Sequence, residues 1–137
     1  MGEATQIRLL IRWSDVDSLG HVNNAVYLNY LEEARDRLIA NLFGERAWDF
    51  VLARVAIDYR SELVQDDREV IVHCGVSGYG RSSIRTWERV EKLDGTLSAE
   101  SESVLVARDP EVSKSRPLTE EETGILDAVL DGGTGRS

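Results

Sequence analysis

The sequence predicts an α+β fold, and three observations carry that prediction. One long amphipathic stretch lies near the N-terminus, one strand-like segment precedes it, and four more strand-like segments follow without a second helix between them. The pair Asp94-Gly95, between the last two of those segments, is a strong tight-turn signal of antiparallel neighbours.

The first strand is expected between Thr5 and Trp13, where Ile7, Leu9 and Ile11 alternate with Arg8, Leu10 and Arg12, giving one apolar face. Residues 14–23 hold Ser, Asp, Gly and Asn with no apolar period, so they read as a loop. The helix is expected over Asn24–Leu42, because Val26, Tyr27, Tyr30, Leu31, Ala34, Leu38 and Leu42 recur at spacings of three and four. Asn23 or Asn24 can cap its start, and Gly44 can stop it. Glu32 and Arg35, one turn apart, are expected to form an ion pair along it.

Phe50–Tyr59, Glu69–Val76, Ser82–Lys92 and Ser98–Ala107 are the remaining strands, and the short gaps between them imply antiparallel neighbours. The helix then has to bury its apolar face on a sheet of about five strands. Thr119–Leu130 reads as a short terminal helix, with Thr119 and Glu122 forming a capping box. One domain is expected over residues 1–131, with 132–137 a loose tail.

Composition excludes several classes of function. With 42% hydrophobic and 30% charged residues among 137, the chain has the balance of a globular protein that buries a core. A net charge of −9 argues against nucleic acid and anionic membrane as partners, since both require clustered Lys and Arg. No stretch is long and apolar enough to span a bilayer, and the N-terminus lacks the pattern of a targeting segment. The single cysteine, Cys74, cannot form an internal disulfide, which fits a reducing cytoplasm. Two distant histidines and one cysteine give no metal-ligand spacing, and no glycine-rich phosphate cradle is present, so neither a metal nor a bound cofactor is expected. His73 and Cys74, adjacent in a strand, face opposite ways and cannot form a catalytic dyad.

Chemistry concentrates in the loop before the helix, which carries Asp15, Asp17, Gly20, His21, Asn23 and Asn24. A helix start offers unpaired backbone N–H groups and partial positive charge, able to hold an oxyanion. Asp17 lies seven residues before Asn24, so a loop folding back can set a carboxylate beside a carbonyl held by those amides. The same residues can equally serve as Asx-turns and helix caps, and the residue types alone favour that structural reading.

A longer pattern, Arg12-x-x-Asp15-x-Asp17-x-x-Gly20-His21-Val22-Asn23-Asn24-x-x-Tyr27 followed by Tyr30-x-Glu32-x-Ala34-Arg35, resembles the hotdog-fold thioesterases of the 4-hydroxybenzoyl-CoA thioesterase family. It is also similar to bacterial short acyl-CoA thioesterases and plant acyl-ACP thioesterases. The resemblance implies a hotdog fold: a curled antiparallel sheet wrapped around one long helix, paired edge to edge into a homodimer or homotetramer, with active sites where subunits meet. It implies hydrolysis of an acyl-CoA thioester, with Asp17 as nucleophile or general base and the Asn24 backbone amide polarising the carbonyl beside Asn23. An acyl-ACP substrate, or a non-catalytic acyl-thioester-binding module, are the alternatives.

The plant enzymes carry an asparagine two residues after the aspartate and a histidine two further on. Here Leu19 replaces the former while His21 keeps the latter, leaving His21 a catalytic or a loop-positioning role. The segment Gly80-Arg81-Ser82-Ser83 resembles a Gly-x-Ser-Ser stretch that lines the substrate channel in relatives. Arg81, Ser82 and Ser83 are thus candidate substrate contacts, alongside Tyr27.

Overall fold

The computed structural model describes residues 4–132. Its elements run β1 (Thr5–Leu10), α1 (Asn24–Phe43), β2 (Phe50–Tyr59), β3 (Glu69–Tyr79), β4 (Ser83–Lys92), β5 (Leu97–Asp109), β6 (Lys114–Ser115) and α2 (Glu120–Gly132). Short 3₁₀ turns occupy Trp13–Asp15, Gly44–Asp49 and Gln65–Asp67. The expected tail lies outside the described residues from 133 onward, and Gly132 belongs to α2.

The strands form one antiparallel sheet in the order β1-β3-β4-β5-β2, with the two-residue β6 pairing β5. This corrects the expectation that the short gaps join neighbouring strands throughout. β2 and β3 are consecutive but not paired, because β2 crosses to the far edge beyond β5. The turn after β4 follows its signal: Gly95 has φ 90° and Thr96 N–H donates to Asp94 Oδ1 at 2.9 Å.

α1 packs on one face of the sheet, against β1, β3 and β4, and buries Tyr27, Tyr30, Leu31, Ala34, Leu38, Ile39 and Phe43. Beneath it lie Val70, Val72 and Cys74 of β3, Ile84 and Val90 of β4, and Ala99, Leu105 and Ala107 of β5. Fully burying each large aliphatic side chain here stabilises the fold by roughly 1.5–3 kcal/mol. Gly44, at φ 61°, ends the helix, its N–H bonding Ala40 O.

Arg35 departs from expectation. It is 4% exposed and donates through Nη1 to Ser103 Oγ at 3.3 Å, so it turns onto the sheet instead of pairing with Glu32. Under it, Cys74, Glu88 and Ser101 are direct cross-strand neighbours on β3, β4 and β5. Glu88 is 1% exposed and accepts hydrogen bonds from Thr86, Ser101, Ser103 and the Cys74 thiol. A polar seam thus crosses the centre of the apolar layer, and burial beside the Glu88 carboxylate pushes the Cys74 thiol well above its usual range. His73, on the other face, meets Glu91 at 3.1 Å, so the two neighbours form no dyad.

α2 is held by the expected capping box: Glu122 N–H donates to Thr119 Oγ1 at 3.1 Å and Thr119 N–H to Glu122 Oε1 at 2.9 Å. Arg116 adds a bidentate pair to the same carboxylate, both contacts 2.9 Å, and reaches Asp49 at 3.5 Å. No helix is long and apolar enough among the described residues to cross a membrane.

Candidate active site

The loop between β1 and α1 is organised around Asp15. That residue is 2% exposed, and its Oδ2 accepts hydrogen bonds from Arg12 N–H and from the Tyr30 hydroxyl, each at 2.9 Å. Its Oδ1 meets the Arg12 guanidinium at 3.1 Å, and its carbonyl accepts Asn23 N–H at 3.0 Å. Asp15 therefore ties the loop to the helix start through its backbone and to the second helical turn through its side chain. The pairing with Arg12 spans only three residues, whereas the Tyr30 contact needed the helix to be in place. Burial, then the Asp15 carboxylate, push the Tyr30 phenol far above its usual range, so it stays a donor.

Asp17 sits at the tip of the next turn. Its N–H donates to His21 O at 2.8 Å, and its Oδ1 accepts Leu19 N–H at 2.9 Å and His21 N–H at 3.1 Å. Gly20, at φ 85°, supplies the left-handed backbone that closes the turn. Val22 N–H bonds Leu63 O, and His21 bridges Val64, so the loop is pinned from below. The Asx-turn reading is thus realised, and it leaves Asp17 exposed, with no protein hydrogen bond to Oδ2 among the described residues.

At the helix start Asn23 is the cap, its Oδ1 accepting Ala25 N–H at 2.9 Å and its carbonyl accepting Val26 N–H at 2.9 Å. Among the described residues the Asn24 N–H has no acceptor, leaving one donor of the helix N-terminus open. Asp17, His21, Asn23, Asn24 and Tyr27 line a common pocket of about 500 Å³.

The opposite wall is Tyr59 with the segment 60–62, of which Tyr59, Ser61 and Glu62 carry no local signal of a site. The Tyr59 hydroxyl donates to Asn24 O at 3.0 Å, and its ring meets Tyr27 edge-on, centroids 5.1 Å apart. The Tyr27 hydroxyl shares a 2.9 Å hydrogen bond with Ser98 Oγ, and Ser98 donates to Ser61 O at 2.6 Å. Burial pushes both phenols above their usual range, keeping them protonated. Glu62 Oε1 lies 3.4 Å from His21 Nδ1, and Arg60 contacts Glu100 at 2.8 Å. The fold thus brings five predicted residues together with three unforeseen ones, Tyr59, Ser61 and Glu62.

Arg81, Ser82 and Ser83 are not brought into this pocket within one chain. Ser83 is in register with Val106, which faces Val51, whereas Tyr59 lies eight positions further along β2. At about 3.3 Å per residue this places the serine end of the sheet roughly 26 Å from the Tyr59 end. No group of three or more His, Cys, Asp or Glu side chains among the described residues is placed to hold a metal ion.

A sheet curled around one long helix, with a carboxylate loop over that helix's N-terminus, is the hotdog architecture of thioesterases. The chain matches the family model described as the thioesterase-like superfamily over residues 11–125 and belongs to that family of thioester hydrolases. Among solved structures it is similar to a thioesterase of Thermus thermophilus complexed with coenzyme A and zinc. That match has 34% identity and TM-score 0.82, and covers 91% of this chain and 93% of that one. The DHNA-CoA thioesterase of Staphylococcus aureus shares the fold at 16% identity and TM-score 0.81, with 95% of each chain covered. So does the Staphylococcus aureus protein SAV2348 in complex with CoA, at 16% identity and TM-score 0.80, covering 92% of this chain and 83% of that one. No curated protein matches the sequence.

Proposed function

We propose that the chain hydrolyses acyl-CoA thioesters, with Asp17 as the reacting carboxylate and the Asn24 N–H holding the carbonyl oxygen. The observation that carries this reading is the opening of the Asp17 carboxylate and the α1 N-terminus onto one pocket. A thioester carbonyl there is polarised by the Asn24 amide and the helix dipole, which stabilise the oxyanion as it forms. Asp17 either attacks the carbonyl, giving an anhydride that water opens, or takes a proton from the attacking water. Both routes yield a carboxylate and free coenzyme A. Asn23 and Tyr27 frame the thioester, and His21 orients the loop with Glu62.

The same reading takes the assembly to be a homodimer, alone or doubled into a tetramer. β2 is an edge strand of the sheet and leaves Val51 and Leu52 exposed. Antiparallel pairing of β2 with its copy sets the Ser83 end of one chain by the Tyr59 end of the other, which gives Arg81, Ser82 and Ser83 a role as substrate contacts. The unpaired thiol of Cys74 fits a cytoplasmic setting.

Thiol release across a panel of acyl-CoA thioesters and acyl carrier protein thioesters tests the reading. Asp17→Asn is expected to lower kcat by about 100-fold or more while the protein still folds. Undiminished turnover in that variant would refute the role of Asp17, and faster release from carrier protein would reassign the substrate.

A further inference from the structure

A second cavity, of about 240 Å³, opens toward the other end of α1. Ile39, Ala40, Ala47, Phe50 and Leu105 give it an apolar wall, and Arg35 and Asp36 are its charged members. Asp36 is exposed, whereas Arg35 is only 4% exposed, so Arg35 is the charge that the fold buries there. Its fork carries five N–H donors, of which the described hydrogen bonds use one, Nη1 to Ser103 Oγ. Ser103 and Leu105 lie two apart on the same face of β5, so a guanidinium that reaches Ser103 sits beside Leu105 at the cavity floor.

A buried charge in an apolar wall is costly unless it is balanced, and the balance here comes from beneath. Ser103 Oγ, which accepts from Arg35, donates to Glu88 Oε1 at 2.9 Å, and Glu88 is fixed by three further donors. Two buried charges are thus held in place where a well-packed Met or Leu pair would be less costly. A cavity meant for a purely hydrocarbon chain gains nothing from this arrangement. A cavity meant for an oxygen-bearing end gains both a donor and the ability to reject ligands that leave that donor unpaired.

We propose that this cavity receives the distal end of the acyl group, and that Arg35 selects acyl groups carrying a hydroxyl or carboxylate oxygen there. The inference rests on the thioesterase reading for how the acyl group is delivered. The edge-paired dimer brings the cavity of one copy toward the Asp17 site of the other, since Phe50 and Tyr59 are opposite ends of β2.

The test measures dissociation constants by calorimetry for octanoyl-CoA and its ω-hydroxy and ω-carboxy derivatives, using Asp17→Asn to suppress turnover, alongside kcat/KM on the native chain. The oxygenated ligands are expected to bind about tenfold more tightly than octanoyl-CoA. Arg35→Met combined with Glu88→Gln removes the charges together and is expected to abolish that preference. Ala47→Leu fills the cavity without touching the polar seam and is expected to weaken all three ligands. Equal or tighter binding of octanoyl-CoA, a preference that survives the double variant, or unchanged binding in Ala47→Leu each overturns the inference. Hydrolysis without the binding order defeats only this proposal, whereas the binding order without hydrolysis by the native chain defeats only the thioesterase reading.

Discussion

Removing one oxygen atom tests how the loop before α1 is held. Tyr30→Phe deletes the hydroxyl that donates to Asp15 Oδ2 at 2.9 Å and leaves the ring, which packs among the buried residues of α1, in place. Hydrogen bonds to charged groups contribute about 1.5–3 kcal/mol. Asp15 retains the Arg12 N–H and the Arg12 guanidinium, so its carboxylate is not orphaned and the lower end applies, about 1.5–2 kcal/mol. Urea unfolding should then show roughly a 10- to 30-fold rise in the unfolding equilibrium constant, and Tm should fall by about 5–8 °C.

Asp15 also anchors Asn23 N–H through its carbonyl, so loosening it displaces the helix start that presents the Asn24 amide. A shift on the order of 1 Å at reacting groups can cost about 100-fold, and kcat/KM should drop by about tenfold for a smaller displacement. A variant as stable as the native chain would refute the buried bond. One that is destabilised but fully active would refute the coupling of that bond to the site.

Other perturbations separate structural roles. Burial alone would raise the Glu122 carboxyl, but the Arg116 and Thr119 hydrogen bonds outweigh it and hold the group below the usual carboxylate range. A depressed folded pKa stabilises above the unfolded value of about 4.3 and is lost as pH falls through the depressed one. Glu122→Gln should therefore be about 2 kcal/mol less stable than the native chain at neutral pH, with the gap closing in the acid limb; a pH-independent gap by urea titration contradicts this. Gly75→Ala sets a Cβ 2.7 Å from the Trp87 indole and should destabilise by about 1–3 kcal/mol, whereas Gly78→Ala meets only the mobile end of Arg85 and should stay within about 0.5 kcal/mol. Equal melting temperatures for the two glycine variants would show that the indole gives way freely.

Local pattern was sufficient for much of the chain. The spacing of Tyr27, Tyr30, Leu31, Ala34 and Leu38 placed α1, and Gly44 and Thr119-Glu122 marked two helix boundaries by chemistry within a few residues. The loop from Asp15 to Asn24 stood out because its residue types are suited to turns and caps, and the structure realises both uses. The polar seam was half legible. Ile84 and Val90 fix the inward face of β4, and with a period of two Thr86 and Glu88 must share it, but nothing local says which groups meet them.

Tertiary structure decided what periodicity leaves free. A strand's alternation specifies its faces and not its neighbours, so the crossing of β2 to the sheet edge could not be read from the short gap before β3. That crossing brings Tyr59 to Asn24, 35 residues away, and sets Glu62 against His21. Arg35 looked like a surface partner for Glu32 because helical spacing is local, yet the guanidinium goes where Ser103, 68 residues away, and Glu88, bridged through that serine, offer compensation. The sequence by itself determined the helix, the strand faces and the turn-forming loop that carries Asp17. Only long-range pairing, which joins groups by the pleat of a sheet and the burial of a charge, supplied the pocket wall, the seam and the second cavity.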